Sequence, residues 1–424
     1  MMLLKKTLIT SALVVLGLTF PVEAKVPPEK AQAVKDLTKA RGGKVMGQRI
    51  GKKVLKAFDL YNEDQVEEAL AILLEINPSN PFDKATVNRY IGGMYAGMDG
   101  KAKEAIKFLK LAVEADVLPY QDHSESLRNL GALSMAEKNY EDSIKYNKMF
   151  LEFSMDEEPK VYLTIANGYY ELKQYAKVIE PANKSIEYFA KWDKPNQNPY
   201  ILKMASYYER KMNKKATEVV EDLVKNFPEE SKWWIQLGSF YALTEENDKA
   251  LSTYRLALEQ GFLDKEVHFK RLAQFYSNAG IPFKSAMVQE EYMNKGIIEK
   301  TEKSYSVMAQ TFQNAKEFKK AAKYYGLAAA KDNDADLYRK QGISLMASED
   351  YKGAVKAFEK SLAAKPKRKG PVLLAMGEAQ FYLENWKKAH TAFVDAKKIK
   401  TSARTANGWI GYVKETARRK GVTL

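Results

Sequence analysis

One pattern of residues returns along most of this chain, and it admits few folds other than a stack of copies of one unit. Its clearest copy is Trp234-Ile-Gln-Leu237-Gly238-Ser-Phe-Tyr241, followed by Ala250 and Tyr254. The frame returns as Tyr338, Gly342, Leu345, Ala354, Phe358 and Pro366, and again as Leu373, Gly377, Ala389 and Phe393. Upstream copies centre on Tyr305 to Tyr325, Phe269 to Ser285, Tyr200 to Leu223, Tyr162 to Val178 and Leu127 to Ser143. Two degenerate copies surround Ala57 and Ala69, and Gly93 and Ala105. The small-residue position of the first helix falls at 57, 93, 131, 166, 204, 238, 273, 309, 342 and 377, so successive copies lie 33 to 38 residues apart.

Each copy reads as two helices. A small residue in the first and an alanine in the second (Ala105, Ala216, Ala250, Ala321, Ala354, Ala389) let the pair approach closely. Large apolar residues at the other recurrent positions fill the space between copies. Polar turns such as Glu246-Asn247-Asp248, Glu349-Asp350 and Glu384-Asn385 separate first helix from second. In W-x2-L-G-x2-Y followed by A-x3-aromatic, the chain resembles the tetratricopeptide-repeat family over roughly residues 50 to 400. That resemblance implies an all-α, right-handed α-solenoid of about ten helix pairs, the first helix of each lining a concave groove. The end of such a stack needs a capping helix. Ser402 to Lys420 supplies it, with Trp409, Ile410 and Val413 facing inward and Arg418, Arg419 and Lys420 where the helix dipole favours cations.

The chain start has the make-up of an export signal. Lys5 and Lys6 precede an apolar run from Thr7 to Phe20, and Val22-Glu23-Ala24 offers a cleavage site after Ala24. The run is short of the roughly 20 residues that span a bilayer. Export to a bacterial periplasm is therefore expected, and a chain without cysteine suits that oxidising space. The expected organisation is a signal peptide at 1–24, a basic segment at 25–49, the repeat array at 50–401, and a basic cap and tail at 402–424. In the basic segment Gly43, Gly47 and Gly51 recur every fourth residue. They form either the small-residue face of a packed helix or a flexible linker.

Composition bears on function by exclusion. Without cysteine there is no thiolate catalysis, cysteine-ligated zinc or lipid-anchoring thiol, and His123, His268 and His390 stand in three different repeats. No catalytic or metal-binding constellation is expected, and no cofactor. The formal charge of +14 concentrates at the ends: Lys25 to Lys56 carries ten basic and two acidic residues, and Lys365 to Leu424 fourteen and four. Export argues against a nucleic-acid partner. The basic ends suit peripheral contact with anionic lipid or an acidic protein segment, or serve solubility alone.

Function should then lie in the groove, with a protein segment or helix as the partner. Counted in the family frame, inward positions of the first helices are Lys270, Gln274, Ser277 and Asn278 in the seventh copy, and Ser306, Gln310, Gln313 and Asn314 in the eighth. Arg339 joins them from the ninth. None is needed for packing, and long amides and cations can bond a peptide backbone. Some family members clamp a terminal carboxylate at related positions. Here Lys270, Gln274, Gln310 and Lys340 fall on four of them, but two are Gln in place of Asn, and the fifth is Asp336, of the wrong charge. Among aromatics at or beside inward positions (Tyr61, Tyr90, Tyr170, Tyr208 and Phe381), Tyr170 and Tyr208 are the better ligand contacts. With its signal peptide, the Arg41-Gly-Gly-Lys-Val-Met-Gly-Gln-Arg-Ile-Gly51 stretch and a basic C-terminal helix, the chain is similar to exported repeat proteins accompanying TonB-type energy-transduction clusters. That implies an accessory role in TonB-dependent uptake, such as iron–siderophore import. The alternative is a periplasmic scaffold for outer-membrane protein assembly or polysaccharide export.

Overall fold

The computed structural model describes residues 26–424, so the expected signal peptide lies outside the described residues. These residues divide into two compact units that meet in sequence between Phe227 and Pro228. After a short 3-10 turn at Pro28–Lys30, the first unit carries α1 (Ala31–Arg41) and five helix pairs. The pairs are α2 (Gln48–Asn62) with α3 (Val66–Leu74), α4 (Pro81–Ala96) with α5 (Ala102–Glu114), and α6 (Tyr120–Ala136) with α7 (Tyr140–Ser154). They continue as α8 (Pro159–Glu171) with α9 (Tyr175–Lys191), and α10 (Asn198–Glu209) with α11 (Asn213–Asn226).

The second unit repeats the plan five more times. It pairs α12 (Ser231–Leu243) with α13 (Asn247–Glu259), α14 (Glu266–Asn278) with α15 (Pro282–Asn294), and α16 (Glu302–Asn314) with α17 (Phe318–Asp332). Then come α18 (Ala335–Ala347) with α19 (Tyr351–Ala363), α20 (Lys369–Tyr382) with α21 (Trp386–Lys397), and the cap α22 (Ala403–Arg419). No strand occurs among the described residues. The expected all-α fold of ten helix pairs and a cap is the one observed.

The pairs close where the sequence is smallest. A Cβ added to Gly238 would lie 2.4 Å from the Tyr254 ring, and one added to Gly342 would lie 2.4 Å from Phe358. Tyr254 and Phe358 are themselves fully buried. Each such ring contributes roughly 1.5–3 kcal/mol by leaving water, provided its partner helix can come this close. The second-helix alanines Ala105, Ala216, Ala250, Ala321, Ala354 and Ala389 are all fully buried.

The backbone carries an independent signature of the repeat. Between first and second helix, one residue in every pair adopts the left-handed conformation: Asp64, Gly100, Lys138, Lys173, Lys211, Glu245, Gly280, Lys316, Glu349 and Glu384. Each stands seven residues beyond the small-residue position of its copy, so sequence and backbone share one frame. A non-glycine residue held there costs about 1–3 kcal/mol. Two capping hydrogen bonds offset the cost: Glu245 N donates to Ala242 O at 3.3 Å and Glu246 N to Tyr241 O at 2.8 Å, which satisfies the last carbonyls of α12. The same pair of bonds closes α2, α6, α8, α10, α14, α16, α18 and α20.

The second pair departs from this rule. α4 ends early, at Ala96, and the longer turn Gly97–Lys101 makes a bond from Lys101 N to Met98 O. The helix face slips by one residue. Gly92, not the expected Gly93, lies against α5, where an added Cβ would be 2.7 Å from Leu109. Gly93 faces open space, with nothing within 4 Å of its Cβ position.

The three spaced glycines of the N-terminal segment form neither a helix face nor a wholly free linker. Gly43 takes a positive φ of 77° in the stretch after α1, Gly47 caps α2 and donates from its N to Asp83 at 3.3 Å, and Gly51 lies inside α2. α1 is held across the first unit by its charged end. Arg41 donates to Leu118 O at 2.9 Å, pairs with Asp116 at 2.7 Å and covers the Phe153 ring. At the other terminus, α22 buries Val413 and stacks Trp409 on Phe393 with ring centres 5.1 Å apart. Ile410 is half-buried beside them, so the cap faces inward as the sequence implied.

Candidate functional site

In the second unit the first helices of the seventh and eighth pairs present matching polar rows. On α14, Lys270, Gln274 and Asn278 follow one another at four-residue spacing and are all exposed. Lys270 pairs with Glu266, and the Gln274 side chain donates to Asn278 Oδ1 at 2.7 Å. On α16, Gln310 donates to Asn314 Oδ1 at 3.0 Å, both exposed, with Gln313 half-buried beside them. One glutamine-to-asparagine bond thus recurs on the two helices, 36 residues on. On α18, Arg339 is half-buried and bonds Asp336 through Nε at 2.8 Å.

One expectation fails here. Gln310 does take part in packing, because its Oε1 accepts the Tyr325 hydroxyl at 2.8 Å, and Tyr325 is fully buried. Burial, with Asp336 nearby, pushes that hydroxyl up to about 12, so it stays a neutral donor. Asp336 also answers the carboxylate-clamp question. It binds Arg339 at 2.8 Å and lies 3.6 Å from Lys340, so the cations a terminal carboxylate would need already face an acid.

Tyr170 and Tyr208 belong to the first unit, on α8 and α10, which pack directly against each other. Both are half-buried. The Tyr170 ring lies 5.4 Å from Tyr175, and burial, reinforced by Glu209, raises its hydroxyl above the usual range. The predicted contacts therefore form two groups, one in each unit.

A third group joins Tyr61 and Tyr90, which the sequence frame placed at or beside inward positions, to Phe58 and Arg89, which it did not single out. Between α2, α4 and α6 lies a cavity of about 200 Å³. Phe58 and Tyr90 meet edge to face in its wall with ring centres 4.8 Å apart, Tyr61 flanks them, and Leu109 lies below. Arg89 sits at the side, 2.8 Å from Asp122 and 3.4 Å from Glu125. Gly93 opens onto the same space. In the regular frame Arg89 is not an inward position. The one-residue slip of α4 brings it there, and only the length of the turn after α4 hinted at it.

His123 and His268 are held by the packing around them. His123 is buried against Phe153 with ring centres 4.5 Å apart, and desolvation, then the nearby Arg41, lower its pKa to about 4. His268 accepts from backbone N–H groups at the start of α14, and desolvation lowers it too. Among the described residues no helix is long and apolar enough to cross a membrane.

Paired helices, shared left-handed turns and exposed polar rows define a helix-pair repeat scaffold. Residues 307–369, from α16 to the start of α20, match the tetratricopeptide repeat family. No curated protein matches the chain. Among solved structures, the C-terminal part of a TPR repeat-containing protein from Cytophaga hutchinsonii is 17% identical with a TM-score of 0.37, over 58% of this chain and 99% of that one. YrrB, described as a TPR protein with an unusual peptide-binding site, is 15% identical with a TM-score of 0.35, over 46% and 97%. MamA is 16% identical with a TM-score of 0.33, over 46% and 97%.

Proposed function

We propose that this protein is an exported scaffold that holds an extended segment or helix of a partner protein against the exposed faces of its first helices. The observation that carries this is the recurrence of one exposed amide pair on α14 and α16, Gln274 with Asn278 and Gln310 with Asn314. The Gln274–Asn278 bond and the Asn314 side chain are not tied to the core and can exchange for a peptide backbone at little cost, while Gln310 keeps its Oε1 on the buried Tyr325 hydroxyl. The helices beneath are fixed by buried aromatic pairs and capped turns, so the polar rows need no ordering on binding.

The place of action in this proposal is the periplasm, after removal of residues 1–24. The system served is TonB-dependent transport across the outer membrane, on the strength of the Arg41 to Gly51 stretch and the basic C-terminal helix. Replacing Gln274, Asn278 and Asn314 together by Ala should abolish partner capture from cross-linked envelopes while leaving the helical spectrum intact. Unchanged capture would place the binding surface elsewhere. Recovery of polysaccharide-export or outer-membrane-assembly components would move the protein to another system.

A further inference from the structure

We infer that the cavity between α2, α4 and α6 receives one aromatic side chain of the bound segment, carried beside a lysine or arginine. This rests on the groove-binding reading and adds to it the chemistry of the partner. The size of the cavity points to a single ring. At about 200 Å³ it is smaller than the roughly 300–1,000 Å³ of small-molecule sites. It still exceeds the about 150 Å³ that suffices to hold a benzene ring in an engineered protein cavity.

The lining is chosen for an aromatic guest. Phe58 and Tyr90 meet edge to face in the wall, with the Arg89 guanidinium 5.5 Å from the Tyr90 ring centre, and a third ring would extend the same kind of contact. Leu109 closes the bottom and is 1% exposed, so the guest would rest on the core and not on water.

The charge at the rim selects what flanks the ring. Arg89 is matched by two carboxylates, Asp122 and Glu125, which leaves one negative charge in excess. The Glu125 side chain is 43% exposed and is held only by long contacts, 3.4 Å to Arg89 and 3.5 Å from Gln121, so of the two carboxylates it is the one that can turn toward an incoming cation. Gly93 keeps the entrance open: a Cβ added there meets nothing within 4 Å, and a longer side chain would take up space that the cavity offers a guest.

The test uses the full chain and synthetic peptides of sequence Gly-Ser-Lys-X-Lys-Ser-Gly, capped at both ends, with X as Phe, Leu or Ala. A fourth peptide has X as Phe and Glu in place of both Lys. Isothermal titration should show the Phe peptide binding at least tenfold tighter than the Ala peptide, and the Glu version at least fivefold weaker than its Lys counterpart. Gly93→Leu should erase the Phe advantage with an unchanged or higher melting temperature. Tyr61→Ala should weaken the Phe peptide alone. Equal binding of Phe and Ala peptides, absence of binding by all four, or an undiminished Phe preference in Gly93→Leu would overturn the inference. The groove reading fails separately: it stands if the partner still cross-links to α14 and α16, whatever the peptides do.

Discussion

Gln310→Ala is the most informative single change in the polar row, because it separates a binding residue from a packing one. The Tyr325 hydroxyl is buried with its ring fully enclosed, and it donates to Gln310 Oε1 at 2.8 Å. Truncation removes that acceptor and leaves a buried donor unpartnered, a loss of about 1–3 kcal/mol. The lower half of that range is expected, since the exposed position lets water approach the vacated site. Gln274→Ala is the control: it stands at the same place on α14 but bonds only the exposed Asn278, so its cost should stay within about 0.5 kcal/mol. Tyr325→Phe on its own removes the donor, and combined with Gln310→Ala it should recover most of the loss, giving a coupling of about 1 kcal/mol or more. Urea unfolding followed by tryptophan fluorescence reads this, because four of the five tryptophans, Trp233, Trp234, Trp386 and Trp409, lie in the second unit. Equal destabilisation by Gln310→Ala and Gln274→Ala, with no coupling to Tyr325, would refute the hydrogen bond and the structural role built on it.

Other consequences are sharper in sign than in size. Gly238→Ala should destabilise by about 1–3 kcal/mol, since its Cβ falls 2.4 Å from Tyr254, whereas Gly93→Ala should stabilise by up to about 1 kcal/mol because helix propensity is gained in open space; thermal melts compare the two. Two buried groups of the first unit should oppose each other in acid. His123 is depressed to about 4, so its contribution makes stability rise with pH between about 4 and 6.5, whereas Asp156 is raised by burial, then by Glu158, to about 6, so its contribution falls between about 3.8 and 6. Urea titrations at pH 4 and 6 should therefore show His123→Gln losing stability relative to wild type as pH rises and Asp156→Asn gaining it relative to wild type, and parallel behaviour of the two differences would contradict both assignments. N-terminal sequencing of the native protein should begin at Lys25, and recovery of Met1 would contradict export with cleavage.

Much of the fold was legible because a repeat states each requirement ten times. The close approach at Gly238, Gly342 and Gly377 and the enclosed ring sixteen residues later follow from the frame alone. So does the capping role of α22. What escaped notice breaks the period or depends on one contact. The slip of α4 comes from the turn Gly97–Lys101, and a fixed frame cannot register one extra turn residue, so Gly92 and Gly93 exchanged places and Arg89 went unnoticed. The helical run Ala31–Arg41 has no counterpart among the repeats, and only its contacts to Asp116 and Leu118 show how it is held. Gln310 looked like Gln274 in sequence. Their difference lies across the pair, where α17 offers the Tyr325 hydroxyl to one, and Gln274 meets no such donor from α15.

The central claim, that a protein partner lies along the exposed faces of the first helices, is tested most directly by photo-cross-linking in living cells. A benzophenone amino acid placed at Gln274, Asn278 or Asn314 reports α14 and α16, and the same group at Lys356, exposed on α19, reports a second helix. The account predicts one shared partner adduct from the three groove positions and none from Lys356. Adducts of equal yield from all four positions, or from Lys356 alone, would contradict it.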